Sequence, residues 1–95
     1  MHVISRKRLL EATRRHPELG PPLDVWYRIA RRVAWRSLDA VRRTSPSADA
    51  VGKQTVFNVK ANSYRLIVEI NDRTGRIFVR DILTLAEYDK GQWKQ

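Results

Sequence analysis

Apolar residues recur at helical spacing in the first half of the chain and at strand spacing in the second. Leu23, Trp26, Tyr27, Ala30 and Val33 or Ala34 fall at i, i+3, i+4 and i+7, which predicts a helix with one buried stripe; Asp24, Arg28, Arg31 and Arg32 lie on its other face. Upstream, His2 to Ile4 reads as a short strand, Ser5 as a helix N-cap, and Arg6 to His16 as a helix ended by the His16-Pro17 step. Gly20, Pro21 and Pro22 read as a loop between the two helices. After a break near Trp35, Ser37 to Arg43 reads as a short helix with Leu38 and Val41 inward, and Thr44 to Gly52 as a loop. Three runs rich in Val, Ile, Phe and Thr then predict strands at Gln54 to Val59, Tyr64 to Ile70 and Arg76 to Thr84. Lys60-Ala61-Asn62-Ser63 and Asn71-Asp72-Arg73-Thr74-Gly75 supply the hairpin turns between them, and a last helical turn runs from Ala86 to Trp93. The order β-α-α-β-β-β with a short C-terminal helix predicts one α+β domain over residues 1–95. Its helices pack on one face of a mostly antiparallel sheet, and the other face stays open to a ligand. Trp26, Tyr27, Leu38, Leu66, Val68 and Ile70 are assigned to the core.

Composition narrows the partners. Nineteen Lys and Arg stand against ten Asp and Glu, a net charge of +9 and an isoelectric point near 10.9, so polyanionic partners are favoured. The excess is uneven: 11 basic to 5 acidic residues over 1–50, and 8 to 5 over 51–95. A hydrophobic share of 42% is too high for a disordered basic tail. No apolar run approaches the roughly 20 residues that cross a bilayer, and Met1 to Leu10 lacks the apolar stretch of a signal peptide. A cytoplasmic protein without a membrane partner is expected. The absence of cysteine excludes disulfides, Cys-based zinc sites and thiol nucleophiles, and two isolated histidines do not make a metal site. No metal and no cofactor are expected.

Several segments together resemble the HigB family of type II toxins, within the RelE/ParE-like superfamily. They are Trp35 to Ala50, the loop residues Ser47, Ala48, Asp49, Val51 and Gly52, the hairpin Phe-Asn-Val-Lys-x-Asn-x-Tyr-Arg-Leu-Ile-Val at 57–68, and Ala-Glu-Tyr-Asp-Lys at 86–90. The resemblance covers nearly the whole chain. It implies a RelE-like fold and a ribosome-dependent mRNA endonuclease (an mRNA interferase) acting in the ribosomal A site. It also implies a helix-turn-helix antitoxin of the HigA type, with operator DNA reached only through that antitoxin. One position departs from the pattern. Similar sequences usually read Gly-Thr-His before Ala-Glu-Tyr-Asp-Lys, where this chain reads Leu83-Thr84-Leu85. If that histidine transfers a proton in the relatives, this chain is slower or relies on other groups.

Metal-independent RNA cleavage needs a 2′-hydroxyl that loses a proton and attacks in line, a stabilised phosphorane, and a protonated leaving 5′-oxygen. The candidate catalytic residues are Lys60, Arg65, Tyr88 and Lys90. Arg65 offers phosphate a fixed fork of donors, Lys60 and Lys90 offer charge or a proton, and Tyr88 offers an aromatic face and a phenol. Either Glu87 or Asp89 is an alternative base. Asn58, Asn62, Arg80 and Lys53 are the candidate RNA-binding residues. Strand alternation puts Asn58 and Lys60 on one face, with Lys60 and Arg65 flanking one hairpin. His2 lies on the first strand and His16 beside a proline at a helix end, so no histidine pair is expected at the sheet. The arginines of the helices read as a solvated face with diffuse attraction to RNA. Two competing readings are a basic RNA-binding protein without cleavage, including a decayed toxin, and a RelE-fold toxin aimed at another target such as gyrase; the 57–68 and 88–90 matches favour the HigB side.

Overall fold

The computed structural model describes residues 1–94. It consists of β1 (His2–Ile4), α1 (Arg6–Arg15), a 3-10 turn (Pro17–Leu19), α2 (Gly20–Arg32), α3 (Leu38–Thr44), β2 (Asp49–Val51), β3 (Gln54–Val59), β4 (Tyr64–Asn71), β5 (Arg76–Thr84), α4 (Leu85–Asp89) and a second 3-10 turn (Gln92–Lys94). The strands form one sheet in the order β1-β5-β4-β3-β2, antiparallel throughout except for the β1/β5 pair. The expected α+β, RelE-like arrangement of helices and a mostly antiparallel sheet is therefore what the chain adopts.

The three predicted strands of the second half form at the expected places, β4 running one residue further to Asn71. Four local expectations change. Ser5 does not cap α1 with its side chain: it sits at φ 69°, and its carbonyl accepts the Arg8 N–H at 2.9 Å as the chain swings from β1 into the helix. The Gly20-Pro21-Pro22 segment is the first turn of α2 rather than a loop. Prolines are at no disadvantage there, because first-turn N–H groups have no intrahelical partner. Gly20 also lets α1 come close, since a Cβ at that position would stand 3.3 Å from Thr13 Cγ2. The loop after α3 contains β2, which pairs Asp49 with Val56 and Val51 with Gln54 across a tight turn whose Gly52 adopts φ 60°. The C-terminal helical turn is split: α4 stops at Asp89, and Gly91 at φ 74° leads into the second 3-10 turn.

Strand alternation sorts the sheet into two faces. Cross-strand rows Phe57–Leu66–Ile82 and Val59–Tyr64–Thr84, with Val68–Val79 and Ile70–Ile77, face the helices. They pack with Leu9, Ala12, Leu19, Leu23, Trp26, Ala30, Trp35 and Val41 into the core. Tyr27, Leu38 and Ile70, assigned to the core from spacing, are only partly buried. Trp26, Trp35 and Phe57 form an aromatic triangle with ring centroids 5.3–6.2 Å apart. The Met1 amino group donates to the carbonyls of Ala30, Arg31 and Val33 at 2.8–3.1 Å, placing positive charge at the C-terminal end of α2, where the helix dipole favours it. The opposite face carries the rows Asn58–Arg65–Leu83 and Val56–Ile67–Asp81. Where the β4/β5 register shifts between Ile67 and Val68, Arg80 is left without a cross-strand partner.

Candidate active site

The turn between β3 and β4 organises the outer face. Lys60 and Ala61 both adopt left-handed backbone, φ 51° and 55°, and Ser63 N–H closes the turn on the Lys60 carbonyl at 3.2 Å. The turn brings Asn62 over Arg65. The Arg65 guanidinium donates from Nη1 to the carbonyls of Asn62 (3.2 Å) and Tyr64 (3.1 Å), and from Nη2 to Asn62 Oδ1 (2.9 Å). Among the described residues its Nε–H and second Nη2–H make no hydrogen bond. The guanidinium therefore keeps N–H donors beyond its contacts within the fold, on a rigid plane whose forks match phosphate oxygens.

Beneath Arg65 lies an aromatic ladder. The guanidinium carbon stands 5.4 Å from the centroid of the Tyr88 ring. Tyr88 stacks on Trp93, with centroids 4.8 Å apart and planes 19° from parallel, and Lys94 Nζ lies 5.8 Å from the Trp93 ring. Trp93 Nε1 donates to the Tyr88 carbonyl at 2.9 Å, fixing the stack across the α4 end. A capping box starts α4. The Thr84 hydroxyl accepts the Glu87 N–H, and Glu87 Oε1 accepts the Thr84 N–H at 2.9 Å. The Thr84 backbone bond leads a set of effects, with the charges of Arg15 and His16 adding to it, that hold the Glu87 carboxyl below the usual range. Leu85, the position at which similar sequences carry histidine, is half-buried and donates its N–H to the Ser63 carbonyl at 3.1 Å, tying α4 to the hairpin tip.

The structure joins some of the sequence candidates and separates others. Arg65, Asn62 and Tyr88 come together, and Asn58 is the cross-strand neighbour of Arg65 on the same face. Lys90 lines a shallow concavity beside them with Asp81, Leu83, Glu87, Gln92 and Trp93. Lys53 lines a second one with Val51, Gly52, Gln54, Glu69 and Lys94, at the other end of the ladder. Arg80 is engaged within the fold. Its Nη2 pairs with Glu69 Oε2 at 2.9 Å, its guanidinium lies over Phe78, and its carbonyl accepts from Arg8 Nη1. Lys60 is exposed at the hairpin tip, and its left-handed backbone takes it out of the strand alternation that would place it with Asn58.

The charge of Lys60 helps to hold Glu18, at the α1/α2 corner, below the usual carboxylate range. The main causes of that lowering are a hydrogen bond from the Glu18 backbone N–H and one from the Tyr64 hydroxyl, which donates to Glu18 Oε2 at 2.9 Å. Burial, with the Glu18 contact behind it, pushes the Tyr64 phenol up. Sequence spacing missed this corner and missed Trp93, although an aromatic five residues after Tyr88 was in view. It also left His16 as helix punctuation. In the fold its imidazole lies against Tyr64, with centroids 5.3 Å apart, so one histidine does reach the end of the sheet.

The family model for HigB_toxin, described as the RelE-like toxic component of a toxin–antitoxin system, matches residues 20–91. The chain is 32% identical over 93 residues to "mRNA interferase HigB" of Escherichia coli O6:H1, covering 95% of this chain and 90% of that protein. It is 25% identical over 92 residues to "mRNA interferase toxin HigB" of E. coli K12 and to "mRNA interferase HigB" of Shigella flexneri, covering 94% of this chain and 88% of each relative. Among the described residues no helix is long and apolar enough to cross a membrane. Spanning nearly the full length of these relatives and matched by their family model over most of its own, the chain belongs to the HigB family of RelE-like toxins of toxin–antitoxin systems.

Proposed function

We propose that the chain is an mRNA interferase: an endoribonuclease that cuts mRNA in the ribosomal A site, in the cytoplasm, by attack of the 2′-hydroxyl on the adjacent phosphate without a metal or cofactor. Relatives covering most of the chain are named mRNA interferases, and the outer face of the sheet offers a phosphate grip. The observation that carries the reading is Arg65. Its guanidinium is fixed by Asn62 and the Tyr64 carbonyl, rests on Tyr88, and keeps N–H donors that these contacts do not use. A donor pair held before substrate arrives stabilises the charge that grows on a phosphorane without further ordering cost. Tyr88, stacked on Trp93, supports the guanidinium from beneath rather than offering a free face to a base, while Lys60, Lys90, Lys53, Asn58 and Asn62 surround the path of the backbone. Arg80, tied to Glu69, contributes charge rather than a free fork.

Among the described residues the concavities on this face beside Lys90 and Lys53 are shallow, which suits a substrate positioned by the ribosome. The antitoxin partner is inferred to be a HigA-type helix-turn-helix protein that covers this basic face with acidic or amphipathic structure, and operator DNA is bound only by that antitoxin. Transcript mapping after induction in cells tests the reading. New 5′ ends confined to translated regions, in register with codons and suppressed by the antitoxin, are expected; new ends spread over untranslated RNA, or none at growth arrest, would overturn it.

A further inference from the structure

A carboxylate stands in the middle of the basic outer face. Asp81 lies on β5 in the row Val56–Ile67–Asp81, beside the row Asn58–Arg65–Leu83, so it is the diagonal neighbour of Arg65 on the same face, about 7–8 Å away by sheet geometry. Ile82, the next residue, belongs to the core, and strand alternation therefore turns Asp81 outward. The residue is half-buried and its side chain is oriented, because Oδ1 accepts the Ile82 N–H at 2.9 Å. Among the described residues its second oxygen makes no hydrogen bond and Asp81 joins no ion pair. On a face that met phosphates alone, such a group would only repel the ligand.

We propose that the concavity beside Asp81 is a nucleobase subsite, in which Asp81 accepts a hydrogen bond from the exocyclic amino group of a base next to the scissile phosphate. This rests on the mRNA interferase reading. The concavity adjoins the phosphate grip through two of its lining residues: Leu83 is the cross-strand partner of Arg65, and Trp93 stacks on the Tyr88 ring beneath the guanidinium. A nucleotide whose phosphate rests on Arg65 therefore has this concavity beside it for its base. Leu83 and the edge of Trp93 form an apolar wall, Gln92 adds an amide, and Lys90 places a cation at the rim for the sugar–phosphate backbone. Glu87, the other carboxylate there, commits one oxygen to the α4 cap and is exposed on a one-turn helix, whereas Asp81 is anchored in the sheet. Phosphate contacts position RNA without reading it, and contacts to base edges specify. An oxygen that only accepts favours adenine, cytosine and guanine, which carry an amino group, over uracil, which has none. Arg65 grips and Asp81 selects.

The test uses mRNAs on programmed ribosomes with an A-site codon of three adenosines or three uridines, a set in which each adenosine in turn is replaced by purine riboside, and a natural message as control. Purine riboside lacks only the amino group, which is the one donor on the pairing edge of adenine. The wild-type protein is expected to cut the adenosine codon faster than the uridine codon, and to lose roughly 10- to 100-fold in kcat/KM at one purine riboside position, the scale of one hydrogen bond to a charged group. In Asp81→Asn the side-chain oxygen keeps the Ile82 N–H, and an NH2 group stands where the free carboxylate oxygen was. Donor then meets donor, so this variant is expected to cut the adenosine codon slowly and to be indifferent to purine riboside at that position. Asp81→Ser, whose hydroxyl can also accept the Ile82 N–H, is the second variant should the first fail to fold, with thermal melting run on both. A wild-type protein indifferent to purine riboside at all three positions, or faster on the uridine codon, would overturn the subsite. A preference that survives in Asp81→Asn, or is lost instead in Glu87→Gln, would overturn the role of Asp81. A wild-type protein that leaves even the natural message intact sinks the mRNA interferase reading itself.

Discussion

The two faces of the sheet are built on opposite principles. The inner face is held by burial: Leu66, Val68 and Ile77 are fully inaccessible, and no polar or charged residue among those described is buried beside them. The outer face buries only Val56 and Ile67 at its centre and surrounds them with side chains fixed one by one through directional contacts. Arg65 is held by Asn62 and Tyr88, Arg80 by Glu69, and Tyr88 by Trp93. Burial is non-directional and tolerates no gap, so the inner face fixes the fold. Directional bonds at the surface contribute little stability but fix the angles of groups, so the outer face can hold a fork toward a phosphate.

That contrast predicts which substitutions cost stability and which cost activity. Leu66→Ala removes a side chain with no accessible surface and is expected to cost about 2–5 kcal/mol in chemical denaturation. A cost near zero would mean that the inner face is not the fold's anchor. Tyr88→Ala removes the platform under Arg65 and is expected to leave the midpoint of unfolding nearly unchanged while weakening substrate engagement by about 2- to 30-fold, the scale of one cation–π contact. Global unfolding in that variant would show the ladder to be structural.

Thr84→Ala opens the capping box of α4 and is expected to reduce the protection of α4 amides against hydrogen exchange by about 1 kcal/mol at neutral pH. The Glu87 contribution to the same box depends on pH with a fixed sign. Its carboxyl sits below the ordinary 4.5 in the fold, so its stabilisation is complete above that value and is lost as the pH falls through the lowered folded-state value. Amide protection of α4 should therefore fall on acidification in the wild type and change less in Glu87→Gln, which keeps the acceptor but does not ionise. The exposed Arg28–Asp24 pair, 3.0 Å apart one helical turn from each other, is the smallest case; Asp24→Asn is expected to change stability by less than about 0.5 kcal/mol.

The same contrast explains how much the sequence revealed. Burial leaves a periodic trace, and the strands at 54–59, 64–70 and 76–84 and the α2 stripe at Leu23, Trp26 and Ala30 were legible from spacing alone. Short elements leave none: β2 has three residues, two of them exposed, and gains its pairing from β3. The outer face was legible only as residue types. Arg65 and Tyr88 were identifiable from the resemblance, but their contact depends on a turn with two left-handed residues that are not glycine, Lys60 and Ala61. The meeting of His16 with Tyr64 spans 48 positions, and no local pattern encodes it.

The most direct measurement of the central claim, that Arg65 on the outer face grips the scissile phosphate, is cleavage of mRNA on programmed ribosomes by the purified protein, with naked mRNA and Arg65→Ala alongside. The account predicts cuts that need the ribosome and a loss of about 10²- to 10³-fold in a variant that melts like the wild type, the scale of removing one preorganised donor. A folded Arg65→Ala protein that cuts at the wild-type rate would contradict it.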